Sequence, residues 1–86
     1  MKLTIVTYRD PYDGSDVVWN ALRIAAFHAD TGDEVRVFFL SDGVHTVHAD
    51  RPQPATVTYD VQAELEAAIK AGVTFKTCGT CLKNRA

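Results

Sequence analysis

The chain carries almost no net charge, only two cysteines and no long apolar run, and each shortage removes a class of protein. A formal charge of −2 over 86 residues offers no broad electrostatic attraction for nucleic acid or anionic lipid. Neither is expected as a partner. The longest apolar stretches fall far short of the roughly 18 to 20 residues that cross a bilayer. The opening "MKLTIVTYRDPYDG" breaks its apolar-leaning run at Arg9 and Asp10, too early for a signal-peptide core. The expectation is a cytoplasmic protein with no membrane partner. Two cysteines cannot build a disulfide-dense scaffold, and in a reducing compartment such a pair points to catalysis, redox chemistry or metal binding. There is no internal repeat, and "RDPYDGSD" lacks the G-x-G-x-x-G spacing of a dinucleotide loop.

A hydrophobic share of 47% beside 23% charged residues is that of an ordinary globular domain, so residues 1–86 are expected to form one domain. Three runs rich in β-branched and aromatic residues read as strands: Leu3 to Tyr8, Glu34 to Leu40 and Val73 to Thr77. Between the first two lies a helix over Asp16 to Asp30, with Val18, Leu22, Ala25 and Ala29 at helical spacing. Asp13 or Ser15 is placed to cap it, and Gly32 stands where a left-handed residue ends it. A second helix spans Val61 to Ala71, with Asp60 as its cap, Val61, Leu65, Ala68 and Ile69 as its buried stripe and Gly72 as its stop. Trp19, Phe27, Phe38 and Phe39 read as core. "DRPQPAT", residues 50 to 56, reads as an exposed connection.

The order β-α-β-loop-α-β implies an α/β fold with a small parallel sheet. Parallel strands joined by right-handed crossovers bring their carboxyl ends to one edge, where open α/β sheets bind ligands. The loops after the three strands therefore converge. Cys78 follows the third strand, and its neighbours are expected from the other two loops, chiefly Arg9, Tyr12, Asp42, His45 and His48, the first four of them as substrate-pocket candidates.

Cys78 begins a turn into a further helix, where unsatisfied backbone N–H groups favour a thiolate. Cys81 lies one helical turn deeper and suits a resolving role. The plainer reading is two small, partly buried hydrophobes. A second use of the pair is a zinc site of Cys78, Cys81, His45 and His48, since "HTVH" supplies two imidazoles on the same edge. A third is a dithiol/disulfide redox centre. For the two histidines the bland reading is solvated loop residues flanking a buried Val44 and Val47.

"KLTIVTYRDPYDGSDVVWNALRIAAFHADTGDEVRVFFLSDGV" followed by "AGVTFKTCGTCLKNR" resembles the DsrE/DsrF-like sulfur-relay family. The resemblance covers nearly the whole chain. It implies a three-layer α/β/α sandwich assembled into trimers or hexamers, and a cysteine that carries sulfur as persulfide between donor and acceptor proteins without a cofactor. Cys78 matches the sulfur-accepting position, and Cys81 matches the second cysteine of a C-x-x-C subgroup. Members usually continue with a further helix and at least one more strand, so the expectation is a C-terminal part that is short or missing, with the sheet edge covered by another subunit.

Overall fold

The computed structural model describes residues 1–47 and 53–84. Strand β1 (Lys2–Thr7) leads through helix α1 (Val17–Asp30) to β2 (Glu34–Phe39), and a 3₁₀ segment (Ser41–Val47) follows. Helix α2 (Val61–Ala71), strand β3 (Thr74–Thr77) and the short helix α3 (Gly79–Asn84) complete the described chain. Each expected strand is present within a residue or two of its expected bounds. The stretch after β2, expected as loop, instead winds into the 3₁₀ segment.

The sheet is parallel throughout, in the order β1-β2-β3. Its register sets Ile5, Val37 and Phe75 in one row and Thr7, Phe39 and Thr77 in another. Because side chains alternate across a strand, these rows share one face. Val37 and Phe39 are fully buried there, and Phe39 stacks on Phe75 at 5.8 Å between centroids. Helix α1 adds Val18, Leu22 and Ala25, α2 adds Val61, Leu65 and Ala68, and the 3₁₀ segment adds Val44. Consecutive strands with right-handed crossovers place both helices on this same face. The α/β fold with a small parallel sheet is therefore as expected, and the described residues supply two of its layers. The opposite face carries the exposed Thr4, Val6, Arg36 and Lys76.

The helix ends show which local signals decided the structure. Asp60 accepts a hydrogen bond from the Ala63 amide at 3.1 Å, and Gly72 closes α2 at φ +102°, both as expected. Gly32 likewise takes a positive φ of +97° beyond α1. Neither Asp13 nor Ser15 caps α1. Asp16 occupies that position without a side-chain cap, because Asp13 is engaged by Arg9 and Ser15. Two expected core residues are exposed: Phe27 at 65% and Ile69 at 55%. At about 100° of rotation per residue, Phe27 falls opposite Ala25, and Ile69 falls to one side of Ala68.

Candidate functional site at the carboxyl edge of the sheet

The carboxyl ends of the three strands meet at one edge, and the chain locks each following segment in place. The Leu40 amide donates to the Thr7 carbonyl at 2.9 Å and the Cys78 amide to the Phe39 carbonyl at 3.0 Å, so the ladder runs one residue past each strand end. Tyr8 and Cys78 thus stand about two strand spacings apart, on the order of 10 Å between α-carbons.

Cys78 is the hinge between strand and helix. Its amide closes the β2–β3 ladder while its carbonyl accepts from the Leu82 amide at 3.0 Å, the first bond of α3. This makes Cys78 the N-cap residue, with Cys81 in the same turn. Gly79, between them, is exposed and its α-carbon has open space around it. Both thiols are half-buried, and Cys81 and Leu82 pack against the edge of the core. The grooves along α1, along β1 and on the outer sheet face are lined by other residues.

The 3₁₀ segment presents Asp42, which is exposed, and His45, which is half-buried. It enters through Ser41 in the left-handed region at φ +48° and then through Gly43, where a Cβ would stand 2.5 Å from the Thr7 carbonyl oxygen. Its far end is held by Gln62 of α2, whose Nε2 donates to the Thr46 carbonyl at 3.0 Å. Helix α3 packs against this segment, so Asp42 and His45 belong to the element that supports the cysteine turn.

The loop after β1 is built differently. Asp10 Oδ1 accepts from the Tyr12 amide at 2.9 Å, and Asp13 accepts from Arg9 Nε at 2.6 Å and from the Ser15 amide and hydroxyl. Partial burial pushes the Asp13 carboxyl up, but the hydrogen bonds from Ser15 and Arg9 outweigh it and hold the group below its ordinary value. The Tyr12 hydroxyl accepts from the Val61 amide at 2.9 Å, and its ring stacks on Tyr59 at 5.9 Å. Tyr59 in turn donates to the Ser15 carbonyl and sits 5.7 Å from the ring of Trp19. Arg9 and Tyr12 are therefore tied into the frame of the edge. Tyr59 and Gln62 do comparable work, and their partners lie 44 and 16 residues away in sequence, where spacing gives no signal.

Among the described residues, no three His, Cys, Asp or Glu side chains converge in a metal-binding group. His48, the fourth member of the alternative zinc set, lies outside the described residues. No described helix is long and apolar enough to cross a membrane.

A three-stranded parallel sheet, two crossover helices on one face and a C-x-x-C turn define a small α/β protein with two thiols at the carboxyl edge of its sheet. The chain belongs to the DsrE/DsrF-like family, whose model matches residues 1–86. It is similar to the uncharacterized protein MJ0989 of Methanocaldococcus jannaschii, at 34% identity over 99% of this chain and 72% of that protein. It is also similar to the uncharacterized protein MK0008 of Methanopyrus kandleri, at 32% identity over 96% of this chain and 66% of that protein. The crystal structure of the ychN protein of E. coli superposes with a TM-score of 0.81 at 31% identity, covering 99% of this chain and 72% of that one.

Proposed function

We propose that the protein carries sulfur as a persulfide on Cys78, with Cys81 as the resolving thiol. The observation that carries this reading is the position of Cys78 at the strand-to-helix junction, with Cys81 in the same turn. Membership in a sulfur-relay family supports the substrate class.

The chemistry needs two displacements. The Cys78 thiolate attacks the outer sulfur of a donor persulfide, the donor's S–S bond breaks, and the donor leaves as a thiol while Cys78 becomes the persulfide. No net oxidation occurs. An acceptor thiolate then takes the outer sulfur by the same exchange and restores the Cys78 thiol. Without an acceptor, the Cys81 thiolate attacks Cys78 Sγ, forms the Cys78–Cys81 disulfide and expels the outer sulfur as hydrosulfide. The two electrons lost by the dithiol are those gained by the expelled sulfur. Closing that disulfide requires a local approach of the two α-carbons to about 4.4 to 6.8 Å, which residues in one helical turn can reach.

The donor and acceptor are other proteins that present a thiol or persulfide to the sheet edge, and the carrier itself needs no metal. Intact mass measurement before and after exposure to a low-molecular-weight persulfide tests the reading. A gain of about 32 Da on Cys81→Ser that dithiothreitol removes supports it, and no gain on that variant contradicts it.

A further inference from the structure

We infer that Lys76 and Arg36, on the outer face of the sheet, form a carboxylate-binding subsite beside Cys78. The inference deepens the sulfur-carrier reading and rests on it for its ligand: the carboxylate of an acidic residue next to the donor protein's persulfidated cysteine. The chain as a whole has a net charge of −2. Its outer sheet face nevertheless carries three cations, Lys2, Arg36 and Lys76, against one carboxylate, Glu34. A local excess of positive charge on a negatively charged chain attracts an anion to that place and not to the molecule at large.

The register fixes where these charges stand. Arg36 is the partner of Thr74, and Phe38 is the partner of Lys76. Because side chains alternate across a strand, Thr74 and Lys76 lie on the outer face while Phe75 and Thr77 turn to the core. The Cys78 amide still bonds to the Phe39 carbonyl, so the pleat runs one residue further and sets Cys78 in the same column as Lys76. Two residues along a strand separate the α-carbons by about 7 Å, and Arg36 stands diagonal to Lys76 at roughly 8 Å. The neighbours of Lys76 on β2 are Phe38 and, diagonally, Arg36 and Leu40, none of which offers a carboxylate. Among the described residues neither Lys76 nor Arg36 enters an ion pair, whereas Glu34, at the far end of the face, lies 3.8 Å from the Lys2 ammonium.

A groove of about 180 Å³ runs along β2 and β3 between these groups, lined by Glu34, Val35, Arg36, Thr74 and Lys76. It is smaller than the usual pocket for a drug-sized ligand and ample for a single carboxylate. Arg36 supplies a planar fork that meets a carboxylate with two parallel bonds, Thr74 a hydroxyl, and Lys76 a mobile point charge nearest the thiol. Arg36, Thr74 and Lys76 are all exposed, where a strand covered on both faces would read as a continuous apolar run. In use, the donor's carboxylate rests on Lys76 and Arg36 while the Cys78 thiolate attacks the donor's outer sulfur. The donor's inner sulfur leaves as thiolate, Cys78 becomes the persulfide, and the carboxylate is unchanged, so the exchange involves no net oxidation.

Two alkylating agents of the same shape test the subsite without any sulfur transfer. Iodoacetate carries a carboxylate where iodoacetamide carries a neutral amide, and both attack the thiolate, so the ratio of their rates cancels any change in thiolate population. The ratio is measured on Cys81→Ser, in which Cys78 is the one thiol. Adding Lys76→Gln should lower it about threefold, the effect of losing a unit charge some 7 Å away in water. Lys76→Arg should keep it, and Lys70→Gln, the same charge change on α2 behind the sheet, should leave it unchanged. Raising the salt toward about 1 M should lower the ratio by screening a local attraction, whereas the net negative charge alone would make it rise. If Lys76→Gln loses its circular dichroism spectrum, this salt response decides. Sulfur uptake from a persulfidated peptide with a glutamate beside its cysteine should exceed that from its glutamine counterpart, and Lys76→Gln should remove the difference. A ratio indifferent to Lys76→Gln, one that rises with salt, an equal fall with Lys70→Gln, or equal uptake from the two peptides would each overturn the inference. A ratio that falls as expected while neither peptide delivers sulfur would uphold the subsite and contradict sulfur carriage.

Discussion

The α-carbon of Gly43 lies so close to the end of β1 that a Cβ there would stand 2.5 Å from the Thr7 carbonyl oxygen. The Thr7 carbonyl also accepts the Leu40 amide, so this contact fixes where the 3₁₀ segment leaves the sheet. That segment supports α3, and α3 begins at Cys78.

Gly43→Ala should therefore act on stability and site together. The added methyl meets backbone, which cannot swing aside, and overpacking of this kind typically costs about 1 to 3 kcal/mol. Urea unfolding should show that loss, and alkylation of Cys78 should change because its supporting segment has moved. Stability within error of the parent would show that the approach relaxes easily.

Asp33 provides a pH test with a defined sign. Its Oδ2 lies 3.0 Å from His28 Nδ1, and its Oδ1 lies 3.3 Å from the N-terminal ammonium. The hydrogen bond with His28, followed by the N-terminal group, holds the carboxyl below its ordinary value. A carboxyl depressed in the folded state contributes stability above its unfolded pKa, near 3.9, and loses it as pH falls through the lower folded value. The stability gap between the parent and Asp33→Asn should be present near pH 5 and close as pH falls through the lowered folded value. A gap that widens on acidification would refute the assignment.

The two thiols should differ in reactivity. Cys78 occupies the N-cap of α3, whereas Cys81 lies within the first turn and packs against the core edge. Iodoacetamide near neutral pH should label Cys78 first, and Cys81→Ser should keep that fast phase. Faster labelling at Cys81 would reverse the roles proposed for the pair.

Local signals carried most of the fold. The β-branched runs gave the strands, Asp60 and Gly72 bounded α2 as their chemistry requires, and the β-α-β order implied the parallel sheet and its common edge. What spacing could not show depended on distant contacts. The Asp13 carboxylate had two plausible uses, and Arg9 took it from the helix cap. The 3₁₀ segment depends on Gly43 meeting Thr7, 36 positions earlier in the chain, and on Gln62 reaching Thr46. Phe27 and Ile69 look like core by composition and lie off the buried stripe by rotation. At the site, the C-x-x-C turn and its edge position were legible, whereas the framing roles of Tyr12 and Arg9 emerged only from their partners.

The central claim is that Cys78 takes up sulfur and Cys81 discharges it. Intact mass spectrometry of the parent, Cys78→Ser and Cys81→Ser after exposure to a persulfide donor measures this most directly. The account predicts a gain of about 32 Da on the parent that dithiothreitol reverses, no gain on Cys78→Ser, and a longer-lived adduct on Cys81→Ser. Sulfur uptake that persists in Cys78→Ser, or none on Cys81→Ser, would contradict it.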